Sequence, residues 1–202
     1  MAELQEYTSL MPSRALKRWR TDGQQALDEI ESAHHSLGGT GPGRRYATQQ
    51  INQAYTVLLM SQFQRFCRDL HTEAIRYLTA EPPHNARYTL LGIRLAEGRK
   101  LDTGNANPGN LGADFARFGM SFWDVVKAHD KEGAARQKRL SFLNEWRNAI
   151  AHQNFDSPLL SGRSSLRLAE IRAWRATCNG LANSFDAVVN AHLAGIIGKA
   201  PW

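Results

Sequence analysis

Apolar residues recur along this chain in steps of three and four, the period of an α-helix with one buried face. After Pro12-Ser13 the positions Leu16, Trp19, Leu27, Ile30 and Leu37 keep that spacing, with charged residues between them. Gly38-Gly-Thr-Gly-Pro-Gly43 breaks the run. A second long helix is expected from about Ala47 to Thr79, carrying Ile51, Tyr55, Leu58, Leu59, Phe66, Leu70 and Tyr77. Glu81-Pro-Pro-His84 ends it, because consecutive prolines cannot continue a helix. A shorter helix is expected over Ala86 to Glu97, and the turn formers from Asp102 to Asn110 predict a loop. Phe115, Phe118, Trp123, Val125 and Val126 predict a helix interrupted near Gly119. Another helix opens near Gly133 and runs to about Phe155. After a loop from Asp156 to Gly162, the last long helix carries Ile171, Trp174, Cys178, Leu181, Phe185 and Val188.

No segment sustains the two-residue alternation of a strand, and no Asn-Gly hairpin joins two β-branched runs. The expectation is an all-α fold: a single helical bundle of five to seven helices in one domain spanning residues 1–202. Trp19, Trp123 and Trp174 fall at core-periodic positions and read as packing residues.

Composition narrows the class. Hydrophobic content of 42% and charged content of 22% are those of an ordinary folded chain. A formal charge of +6 favours a polyanionic partner: RNA, DNA or an acidic protein. Arg14, Lys17, Arg18 and Arg20 form one basic cluster that either touches phosphates or solvates a helix start. Two cysteines without Cys-x-x-Cys spacing argue against a disulfide framework or a cysteine-built zinc site. The acidic first residues lack an apolar leader core, and no run reaches the ~20 apolar residues of a membrane span. A cytoplasmic protein with no membrane partner is expected.

The chemistry concentrates in the helix before Phe155. At about 100° per residue, Phe142, Trp146, Ala149 and Ile150 make one apolar stripe. Measured from Trp146, Arg147, Asn144, Asn148 and His152 fall at roughly 100°, 160°, 200° and 240°, around Ala151 at roughly 140°. That opposite face is expected to hold a guanidinium, two amides and an imidazole about a small centre. An imidazole exchanges protons near neutral pH, and an arginine binds phosphate bidentately. Together they suit attack of an RNA 2′-hydroxyl on the adjacent phosphodiester. One His and one Arg supply half of an acid–base pair, so a twofold dimer that joins two such faces is expected to complete it.

Arg147-Asn-Ala-Ile-Ala-His152 resembles the Arg-x(4–6)-His signature of the HEPN superfamily. The wider string Leu143–Phe155 is similar to the signature helix of its RiboL-PSP-like branch. Ser61–Leu70 and the Asn-Pro loop leading to Arg117–Trp123 fit that branch as well. The resemblance covers residues 46–197, leaving about residues 1–40 as a variable N-terminal helix or extension. It implies dimerisation through the signature helix and metal-independent endoribonuclease activity on single-stranded RNA, without a cofactor. It also implies a toxin or phage-defence role, with an antitoxin-like protein as a possible neutralising partner. Carried over by position, Arg147 and His152 are catalytic, with Asn148 grouped alongside them; Asn144 and Gln64 are supporting polar residues. Related proteins tend to carry an acid where Gln64 stands; glutamine can hydrogen-bond RNA or the catalytic His but cannot act as a base.

The bare spacing is cheap in a chain rich in arginine, and Arg65 and His71 match it too. Two alternatives stand beside the nuclease: a non-catalytic HEPN-like dimer binding RNA, a nucleotide or a protein, and a structural helical scaffold. Glu31-Ser-Ala-His34 matches half of a di-metal bundle motif, but no second Glu-x-x-His follows. Gly38–Gly43 with Arg44-Arg45 lacks the Lys-Ser/Thr ending of a phosphate loop and reads as a helix connection.

Overall fold

The first helical rod begins where Ser13 caps it, its hydroxyl accepting from the Leu16 amide at 3.0 Å. The computed structural model describes residues 11–37, 44–80, 86–160 and 162–202; the glycine-rich connection at 38–43 and the prolines at 82 and 83 lie outside them. Helix α1 (Arg14–Arg18) passes through a π-helical turn (Trp19–Gly23) into α2 (Gln24–Leu37). Gly23 lies close against the Trp19 ring, which a Cβ there would meet at 3.2 Å.

Helix α3 (Arg44–Leu78) is the axis on which the rest is assembled, and α9 (Leu168–Ile197) is its main partner. Between them in sequence come α4 (Ala86–Ala96), α5 (Lys100–Thr103), α6 (Pro108–Phe115), α7 (Phe122–His129) and α8 (Gly133–His152). All described regular structure is helical, as the period predicts. Counting the first rod as one, eight helices run through the described residues, above the five to seven expected. The excess comes from the expected loop at 102–110, whose first two residues lie in the single turn α5. It is also the place where α6 starts, with Asn107 as cap and Pro108 at its first position. The interruption expected near Gly119 is real: α6 ends in a 3-10 turn (Ala116–Phe118), and Gly119 takes φ +80° before α7 begins.

One buried cluster runs from Ala15 to Leu193. Leu16, Trp19 and Leu27 of the first rod belong to it, together with Phe63, Trp146, Trp174 and Phe185. Trp123 is half-buried, and its indole N–H donates to the Pro108 carbonyl at 2.7 Å. No described helix is long and apolar enough to cross a membrane.

Candidate functional site

Helix α8 ends at His152 because Gln153 turns left-handed, at φ 50°. The amide of Asn154 then donates to the Ala149 carbonyl at 2.9 Å, and the Gln153 side chain to the Ile150 carbonyl at 2.7 Å. This closure leaves His152 exposed on the last turn, at the negative end of the helix dipole. The chain then bends back, so Asn154, Asp156 and Ser157 stand beside Glu145, Asn148 and His152 around an open cavity of about 420 Å³.

Asn148 is the node of the site. Its Oδ1 accepts from Asn105 Nδ2 at 2.7 Å and from Arg147 Nη1 at 3.3 Å. Asn105 is placed in turn by the α5 turn, where Asn110 Nδ2 donates to its carbonyl at 2.8 Å. Gly104 is needed there, since a Cβ would lie 2.7 Å from Asn110 Nδ2. Gln64 of α3 locks the turn, donating from Nε2 to the carbonyls of Leu101 (2.9 Å) and Gly104 (2.8 Å).

Three sequence-based placements change. Asn144 does not share the polar face: it is 7% exposed, and its Oδ1 meets no donor among the described residues. The buried arc of α8 is wider than one stripe, because α3 and α9 both pack on it and Leu140, Leu143 and Asn144 are covered along with Trp146 and Ile150. Arg147 is half-buried and folded onto Asn148 rather than lining the cavity with His152. Gln64 has no hydrogen bond to Arg147, Asn148 or His152 among the described residues; it holds the turn that leads into Asn105. Its two carbonyl acceptors need an amide donor, a role no carboxylate can fill.

Glu145, Asn105 and Asp156 were not singled out from the sequence. Glu145 precedes His152 by two turns and so shares its face, a signal the wheel contained. Asn105 and Asp156 sit in irregular segments, where no period leads to them.

The second Arg/His match has another fate. His71 is fully buried, with its ring centroid 4.6 Å from that of Phe118 and 5.4 Å from that of Phe115. Its Nε2 donates to the Asp114 carbonyl at 3.1 Å. Burial pushes its pKa down to about 4, helped by the nearby Arg99 and Arg117 charges. Glu31 is taken up by Tyr55 and Arg172, and no group of three metal-donor side chains occurs among the described residues.

Compared with protein-family models, curated proteins and solved structures, the chain matches none.

Proposed function

We propose that this protein is an endoribonuclease of HEPN type, cutting single-stranded RNA at the His152 cavity. The observation that carries the reading is one juxtaposition: an exposed imidazole at a helix end, opening on a cavity of about 420 Å³ beside Asn148, with Arg147 tethered to that amide. His152 takes the proton of a ribose 2′-hydroxyl; the freed oxygen bonds to phosphorus, and the bond from phosphorus to the 5′-oxygen breaks. Arg147, swung off Asn148, stabilises charge on the phosphoryl oxygens. The departing 5′-oxygen needs a proton, which a second His152 would supply in a twofold dimer joined through α8. Glu145 and Asp156 line the same cavity, where they can accept hydrogen bonds from the ribose hydroxyls.

No step in this scheme calls on a metal or a cofactor. A toxin or phage-defence role in the cytoplasm, with an antitoxin-like partner, follows from the resemblance of the Leu143–Phe155 helix. One observation favours the non-catalytic reading: Arg147 is turned away from the cavity, as a binding module would tolerate. Product chemistry separates the two. Cleavage in excess EDTA that leaves 2′,3′-cyclic phosphate ends supports the nuclease; loss of cleavage on chelation overturns this mechanism.

A further inference from the structure

The four cations clustered at the chain's start do not stay together. Arg20 turns to α9, donating to Asn183 Oδ1 at 3.0 Å. Arg14, Lys17 and Arg18 instead face Arg76 of α3 across a groove of about 480 Å³, floored by Thr72. Two carboxylates share this groove, and both are engaged. Glu73 is 7% exposed and accepts from the amides of Arg14 and Ala15, each at 3.0 Å. Asp69 accepts from Arg18 Nη1 at 3.2 Å. Arg14, Lys17 and Arg76 are exposed, and their side chains have no acceptor among the described residues. Glu73 pins α1 to α3, so these charges stand on a fixed frame.

We infer that this groove grips the phosphate backbone of single-stranded RNA away from the His152 cavity. Beside the two engaged carboxylates, its lining is cationic heads and a hydroxyl, with Ala15 the one apolar side chain. That offers no apolar pocket to anchor the uncharged side chains of a peptide and no ring for base stacking, so the grip is on phosphates and tolerant of sequence. The choice of RNA rests on the nuclease reading, and the structure links the two places. Thr72 Oγ1 accepts from Arg99 Nη1 at 2.9 Å, and Arg99 pairs with Asp102 of α5 at 2.8 Å. The α5 turn then carries Asn105 to Asn148. Along α3 the groove lies roughly 18 Å from Gln64 at Arg76, a span for several nucleotides.

The probe is a fluorescein-labelled 2′-O-methyl oligonucleotide of about ten nucleotides, which lacks the attacking hydroxyl, read by anisotropy across a salt series. The triple variant Arg14→Ala/Lys17→Ala/Arg76→Ala, with its melting temperature checked, is expected to bind about tenfold or more weakly. Its log–log salt slope should shrink by about 2. Lys127→Ala/Lys131→Ala, in the basic groove between α7 and α9, should bind within twofold of wild type. Wild-type affinity and slope in the triple variant overturn the inference. So does absence of wild-type binding, or equal binding of a polyglutamate of matched charge. The two readings fail separately. A triple variant that binds weakly while wild-type protein cuts no ordinary RNA keeps the groove and removes the nuclease. His152-dependent cleavage, undiminished along with binding in the triple variant, does the reverse.

Discussion

Two places in this molecule match the same Arg-x(4–6)-His pattern, and they are built for opposite ends. His152 terminates a helix, lies open to solvent and borders a cavity with Asn148 and Glu145. His71 sits mid-helix in α3, fully buried against Phe115 and Phe118, with one nitrogen bound to a backbone carbonyl. The first can meet a substrate; the second is a packing residue that must stay neutral. Spacing places two side chains on neighbouring turns and says nothing of what covers them. What covers them is decided by elements distant in sequence: α6 and its 3-10 turn for His71, the bend after Gln153 for His152.

The comparison is sharpest in stability. His71→Ala is expected to cost about 3 kcal/mol in urea unfolding, as for a buried ring left as a void, whereas His152→Ala should stay within about 0.5 kcal/mol. Acid extends the test. Folded His71 titrates at about 4, below the ~6.5 of an unfolded histidine, so the unfolded chain takes up the proton first. The stability that neutral His71 contributes is whole above pH ~6.5 and drains away as pH falls toward 4, on the order of 2–3 kcal/mol. His71→Gln, which keeps a donor for Asp114 and does not titrate, should remove that part of the decline. An unchanged profile in this variant contradicts the buried, neutral assignment.

A smaller effect is expected at the clamp that sets Asn105. Gln64→Glu would aim a carboxylate at two carbonyl oxygens and should cost about 2 kcal/mol while loosening the Asn105–Asn148 contact. If the acid is as stable as the glutamine, the clamp is not what position 64 provides. The smallest effect is at Asn144, whose buried side-chain carbonyl has no donor among the described residues. Asn144→Leu should be neutral or up to about 1 kcal/mol more stable, with RNA cleavage unchanged. A loss of cleavage there would restore Asn144 to the site.

The all-helical architecture was legible because apolar residues such as Leu16, Trp19, Leu27, Trp174 and Phe185 keep helical spacing, and all five are buried. The α8 face was legible in part. His152 and Asn148 lie where the wheel places them, while Asn144 does not, because a helix packed by both α3 and α9 is covered over more than half its circumference. A wheel assumes one buried side. The role of Gln64 was hidden for another reason: its partners are backbone carbonyls of a turn about 40 residues away, which side-chain identity does not report. Asn105 was read as a turn former, and it is one; that it also bonds Asn148 follows from where α3 holds that turn.

The central claim is that one match cuts RNA and the other holds the fold. It is tested most directly by single-turnover cleavage of a labelled single-stranded RNA in excess EDTA, comparing wild type, His152→Ala, Arg147→Ala and His71→Gln at pH 7.5. The account predicts cleavage by wild type and His71→Gln, and losses of about 10²–10⁴-fold in the other two without loss of folding. Wild-type rates in either His152→Ala or Arg147→Ala would contradict it.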